Sequence, residues 1–140
     1  MKRLLVAVVA ALSLAACAQV NSMLGRGDTV KVNLTGAEEV PPVGTSASGS
    51  GSFTIASDGA VSGSVTTTGV QGIMAHIHQG AKGQNGPVII PLTMNGDTYS
   101  APAGAKLSDS QMQAFKAGNL YVNVHSPSHK GGEIRAQLQP

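Results

Sequence analysis

The chain has 140 residues, with nine basic against seven acidic side chains, one cysteine, no tryptophan, two phenylalanines and two tyrosines. That is one domain's worth of chain, long enough to bury a core without cross-links. Few and scattered basic residues exclude a nucleic-acid footprint, scarce aromatics exclude a stacking surface for bases or sugars, and a lone cysteine excludes an internal disulfide.

Lys2 and Arg3 form a positive start, and Leu4 to Leu14 is an apolar run too short to span a bilayer. It leads into Leu14-Ala15-Ala16-Cys17, which resembles the bacterial lipobox. The resemblance implies a lipoprotein signal peptide over residues 1–16 and a membrane anchor on Cys17. Ala18 follows the cysteine where an aspartate is absent. By similarity to Gram-negative lipoproteins, that implies the cell envelope, at the periplasmic face of the outer membrane. Loss of Lys2 and Arg3 leaves seven basic and seven acidic side chains, so the apparent basicity belongs to the signal peptide. Residues 17–28 mix polar residues and glycine without a sustained period and read as a flexible tether. The folded domain is expected over 29–140.

Val30 to Leu34 alternates strictly and predicts a first strand. Gly36 to Pro42 predicts a loop, since its prolines lack the donors of a central strand, and Glu38-Glu39 within it reads as a solvated pair. Ser46 to Ile55 and Ala60 to Thr67 predict a hairpin around Ser57-Asp58-Gly59, with Gly59 free to take a positive φ. Ile73 to Gln79 predicts a strand, Gly80 to Gly86 a polar loop, and Pro87 to Leu92 a short apolar strand. Asn95-Gly96-Asp97 predicts a turn. One helix is expected at Asp109 to Ala117, with Ser108 and Gln111 as a capping box, Met112, Phe115 and Ala114 inward, and Gly118 as the stop. Leu120 to His125 and Glu133 to Leu138 alternate again. Many short strands and one short helix predict an all-β Greek-key sandwich or barrel, with Val32, Ile55, Val65, Ile77, Val122, Val124 and Ile134 in its core.

The four histidines fall into two compact groups. On a strand, Ile73, Ala75 and Ile77 point one way, while Met74, His76 and His78 point the other. Residues two apart on a strand lie about 6.6–6.8 Å apart at Cα. Imidazoles at that spacing can meet at one metal, because each metal–nitrogen bond is about 2 Å. The second group is His125 and His129, from a strand end and the turn after it. In both strands the apolar residues and the histidines take opposite faces, so the metal is expected outside the core, against the sheet and under a loop. Three or four imidazoles with a thioether and no free thiolate suit copper or zinc, and Met74 favours copper as a soft donor for Cu(I). His76, His78 and His125 are the expected primary ligands, with His129 a fourth. Arg135, on the polar face of the last strand, is expected to steer or neutralise an anion near the metal, or to pair with Glu133 at the surface. No strand–Ser–helix elbow supports a nucleophilic triad.

Three motifs in order carry a family resemblance. Leu34 to Pro42, then His76-Ile77-His78-Gln79-Gly80 with Gly86-Pro87-Val88, then Tyr121 to His125 with Gly132 to Leu138, resemble the CHRD domain, the module named after chordin. The match covers roughly Val30 to Leu138. It implies an extracytoplasmic, immunoglobulin-like or related β-sandwich, and little about biochemical role. A weaker similarity is to copper–zinc superoxide dismutase, in which His76, His78, His125 and Arg135 would take matching parts. No bridging or zinc-site group lies between His78 and His125, and the cysteine pair is missing, so that similarity implies a copper-only site. Three functions are therefore expected in turn: an envelope lipoprotein that binds copper for buffering, delivery or tolerance; a structural or interaction module without metal; and a copper-only, superoxide dismutase-like enzyme.

Overall fold

A computed structural model describes residues 27–140. The expected signal peptide, Cys17 and nearly all of the expected tether fall outside the described residues. The first strand, β1, runs Asp28–Thr35, so the last tether position already belongs to the sheet. Its alternation buries Val30, Val32 and Leu34 and exposes the residues between them.

A 3-10 turn at Gly36–Glu38 follows. The predicted hairpin forms as β2, Ser48–Ile55, and β3, Val61–Thr68. Its turn closes with Gly59 at φ 90° and the Asp58 carboxylate accepting from the Ala60 amide at 3.0 Å. Then come β4, Met74–Gln79, and β5, Val88–Pro91. Two three-residue strands, β6 (Thr93–Asn95) and β7 (Thr98–Ser100), flank the predicted turn and had no sequence signal of their own. Three residues are too few for alternation to show. The helix α1 is Asp109–Lys116, with both halves of the Ser108–Gln111 capping box formed and Gly118 at φ 75° beyond its end. Phe115 is buried from it into the core, with Met112 and Ala114 packed alongside. The last strands are β8, Leu120–His125, and β9, Ile134–Leu138.

The nine strands of the described residues form one antiparallel sheet in the order β5-β4-β8-β9-β1-β2-β3-β7-β6. The two ends of that order, β5 and β6, are separated in the chain by Leu92 alone. The sheet must therefore curl until its edges meet. Leu92 marks the seam, its amide donating to Ala75 of β4 at 3.0 Å. Among the described residues the result is a nearly closed all-β barrel with one short α-helix. Every core residue predicted from alternation lies inside it, from Val122, Val124 and Ile134 at 0% exposure to Val32 and Ile55 at 3%.

The strand β8 departs from simple alternation, because all six of its residues are buried. Its outward side chains lie under three loops. Arg135 donates to Gln84 O at 2.6 Å and Asn85 Oδ1 at 3.1 Å, and Asn123 donates to Gly131 O at 3.3 Å. Asn85 in turn donates to Val40 O at 2.9 Å, which ties in the loop after the 3-10 turn. That loop corrects the reading of the acidic pair. Glu38 is at the surface with Lys82 3.5 Å away, but Glu39 is only 3% exposed.

Candidate metal centre

Sheet register assembles the site. β4 pairs antiparallel with β8, setting Met74 opposite His125, His76 opposite Asn123 and His78 opposite Tyr121. His76 and His78 share the outer face of β4, and His125 reaches the same face from the neighbouring strand. Nitrogen atoms of the three rings, one from each, lie within 4.8 Å of one another, and this triad can hold a metal ion. Ring centroids are 4.9 Å apart for His76 and His125, and 5.5 Å for His76 and His78.

Hydrogen bonds fix which nitrogens are free. His78 Nδ1 lies 2.9 Å from Gly86 O, and His125 Nδ1 lies 2.8 Å from Lys130 O. A carbonyl oxygen only accepts, so both Nδ1 atoms carry the proton and both Nε2 atoms present lone pairs. His125 Nε2 is 3.0 Å from His76 Nδ1, which donates to it in this tautomer. His78 Nε2 is buried and has no hydrogen-bond partner among the described residues. A buried lone pair left unpaired is costly unless something takes it up, and a metal ion does so. This donor set therefore fits a metal held by three neutral imidazoles, with the bonds to the carbonyls orienting two of the rings.

Electrostatics favour the neutral, metal-binding form. Burial lowers the pKa of His76, and the neighbouring His125 and His78 lower it further. Burial also lowers that of His78, against the opposing pull of its bond to Gly86. The His78 ring stacks on Tyr121 at a centroid distance of 4.7 Å, and the Arg135 guanidinium lies 3.4 Å from the centre of the Tyr121 ring.

The other expected site residues are placed differently. Met74 is on the outer face opposite His125 and is exposed at the strand end. His129 lies outside the triad. The 126–129 turn holds it, its amide donating to Ser126 O at 3.1 Å, and its Nδ1 is 3.6 Å from Glu133 Oε2. Arg135 has no open position from which to meet an anion and does not sit at the surface with Glu133. It is 2% exposed, and its fork is taken up by the 81–85 loop. Sequence reasoning passed over Tyr121, Asn123 and Glu39. The first two share the face of His125 on one strand, and that parity was available to find them. Nothing local to Glu39 announces its burial.

The fold and site together define a small antiparallel barrel with a three-imidazole cluster on its outer face, roofed by loops. The family model for the CHRD domain matches residues 30–138, and the chain belongs to that family. No curated protein and no solved structure matches it.

Proposed function

We propose that this protein is a lipid-anchored CHRD protein of the cell envelope, held at Cys17, that binds one copper ion through His76, His78 and His125 for buffering, delivery or tolerance. One observation carries the metal reading. Two of the three rings spend their Nδ1 protons on backbone carbonyls, leaving both Nε2 lone pairs directed into one cluster, one of them unpartnered. The 3.0 Å between His76 Nδ1 and His125 Nε2 is compatible with two nitrogens each about 2 Å from one ion. On binding, the proton between those two rings has to leave, or His76 has to turn its other nitrogen inward. Copper is preferred over zinc because Met74 offers a soft thioether at the open end of the strand. His129 is reserved for the exposed side, where its turn gives it a surface position.

Arg135 decides between binding and turnover. A copper redox enzyme resembling superoxide dismutase needs an open cation near the metal to draw its anion. The Arg135 guanidinium is occupied beneath a loop, which favours the binding reading.

The test is copper stoichiometry and affinity on the wild type and on His76→Ala, His78→Ala and His125→Ala, with circular dichroism on each. One tight site is expected, strongly weakened by any of the three. Wild-type affinity in all three variants would return the chain to a structural module. Acyl mass on Cys17, lost in Cys17→Ser, checks the anchor.

A further inference from the structure

His78 and His125 each spend an Nδ1 proton on a loop carbonyl, but the two carbonyls lie on different loops and are held by different residues. Lys130 O, the partner of His125, belongs to the 126–132 turn. That turn is closed by bonds of Ser126 and Gly132 with His129, and Asn123 reaches it at Gly131 O. Gly86 O, the partner of His78, is held from the sheet by Tyr121. The Tyr121 hydroxyl accepts from the Gly86 amide at 3.0 Å and lies 3.4 Å from Gly86 O. Tyr121 also stands opposite His78 in register. Its ring stacks on that imidazole at 4.7 Å between centroids and 5° between planes. One residue thus reaches His78 twice, by its face directly and by its hydroxyl through Gly86.

The surroundings are built to keep both contacts. Two glycines let the loop come down onto the sheet. A Cβ at Gly86 would collide with Gln79 O, and one at Gly80 would stand 2.9 Å from Tyr121 Cε1. From β9, on the far side of β8, the Arg135 guanidinium covers the Tyr121 ring at 3.4 Å from its centre. The same guanidinium donates to Gln84 O and Asn85 Oδ1, so it fixes the ring and the loop together. Tyr121 is 2% exposed, held between His78 and Arg135.

The tautomer of His78 decides whether it can be a ligand at Nε2. A neutral imidazole carries one proton, and the nitrogen that bears it has no lone pair to give. We infer that Tyr121 is a positioning residue of the metal centre: it holds the plane of the His78 ring and, through Gly86, keeps the ring proton on Nδ1, which leaves Nε2 as the donor. His125 does not depend on Tyr121, because its own carbonyl lies on the other loop. The part of Tyr121 in metal binding rests on the reading proposed above; its hold on His78 does not.

The test uses the full chain in detergent, as wild type, Tyr121→Phe and Tyr121→Leu. Nitrogen-15 shifts of the imidazoles, taken without metal at a pH where the rings are neutral, report which nitrogen bears the proton. Cu(II) affinity is measured separately, by competition with a chelator. In the wild type both His78 and His125 should carry the proton on Nδ1. Tyr121→Phe keeps the stack and loses the hydroxyl. His78 should then become a mixture of tautomers while His125 stays as it was, and Cu(II) should bind about tenfold more weakly. Tyr121→Leu loses the stack as well and should bind more weakly still. Arg135→Lys loosens the same loop from its other side, should shift His78 in the same direction, and carries the test if the tyrosine variants do not fold. A wild-type His78 protonated on Nε2 would overturn the proposal. So would a wild-type His78 tautomer in Tyr121→Phe, whatever its affinity, or wild-type affinity in a variant whose tautomer has shifted. An equal change at His125 would also overturn it, since that marks a general loosening. A wild type with the expected tautomers and no bound Cu(II) would instead defeat the copper reading, with the hold of Tyr121 on His78 supported by the tautomer shift in Tyr121→Phe.

Discussion

The two faces of β8 are both buried, by different means. Leu120, Val122 and Val124 point into the barrel, at 0–1% exposure, and meet only other hydrocarbon. Tyr121, Asn123 and His125 point outward and are 2–7% exposed. They meet rings, amides and loop carbonyls. The inner face gains by leaving water, at about 1.5–3 kcal/mol for each large side chain, and tolerates any packing that fills the space. The outer face gains nothing from burial unless each polar atom finds a partner. It therefore specifies positions of atoms, which is what a metal centre requires, and the atoms left unpaired on that side mark where something else belongs.

Substitution on the two faces should break this contrast open. Leu120→Ala deletes most of a fully buried side chain from the inner face. It is expected to cost about 2–5 kcal/mol, read by urea denaturation, with or without metal present. An equal loss from His125→Ala in metal-free protein would mean that the outer face is core in the same sense.

The metal effect comes next in size. With free copper at about 100 times the dissociation constant, the wild type should gain about 2.7 kcal/mol. His78→Ala should gain almost none of it, on top of the metal-free loss from its bond to Gly86 O and its stack on Tyr121. The gain should shrink as pH falls below the ordinary imidazole value of 6.5, since His76 and His78 are shifted downward and protons compete only once that range is passed. A metal-induced gain retained in full by His78→Ala would remove that residue from the site.

The contrast also explains what the sequence disclosed. Period-two alternation reports the inner face directly, so the barrel core, from Val32 to Ile134, could be read before any coordinates. The hairpin and helix were legible because Ser57-Asp58-Gly59 and Ser108 with Gln111 carry local chemistry. The histidines were legible as a face of β4 plus a strand end, because residue parity places side chains. The roof was not. The burial of Arg135 is made by contacts with a loop some fifty residues away in the chain, at Asn85 and Gln84, and Asn85 in turn reaches Val40 beside Glu39. No local pattern encodes those meetings. Polar residues in an alternating strand look the same whether water or a loop covers them.

Arg135→Lys tests the roof alone. An ammonium cannot span Gln84 O and Asn85 Oδ1 as the guanidinium fork does, nor lie flat on Tyr121. A loss of about 1–2 kcal/mol is expected. Amide hydrogen exchange should quicken over residues 81–86 while β1 and β2 keep wild-type protection. Quickening spread evenly through the barrel would show that the outer layer and the core open as one unit.

The smallest effect lies in the pH dependence, and its sign is specific. The Glu39 carboxyl is raised from the ordinary 4.5 to about 7 in the folded protein. Between those values the folded state holds a proton that the unfolded chain has released. The contribution of Glu39 to stability is therefore greatest at low pH and falls as pH rises through that window. Arg135 opposes the shift, as do Asn123 and His129 more weakly, so the net effect is what burial leaves over. His76 and His78 run the other way, since their folded values lie below 6.5, and their contribution is complete above it and lost as pH falls. In the metal-free wild type the two trends oppose each other over the part of the Glu39 window that lies below 6.5. Glu39→Gln removes the first and leaves the second. The variant should match the wild type below about pH 4.5 and exceed it above about pH 7, with the gap opening between those limits. Denaturation curves of the two proteins that superimpose at every pH would mean that Glu39 titrates as an exposed carboxyl, and that the outer layer admits water where the structure shows none of its surface.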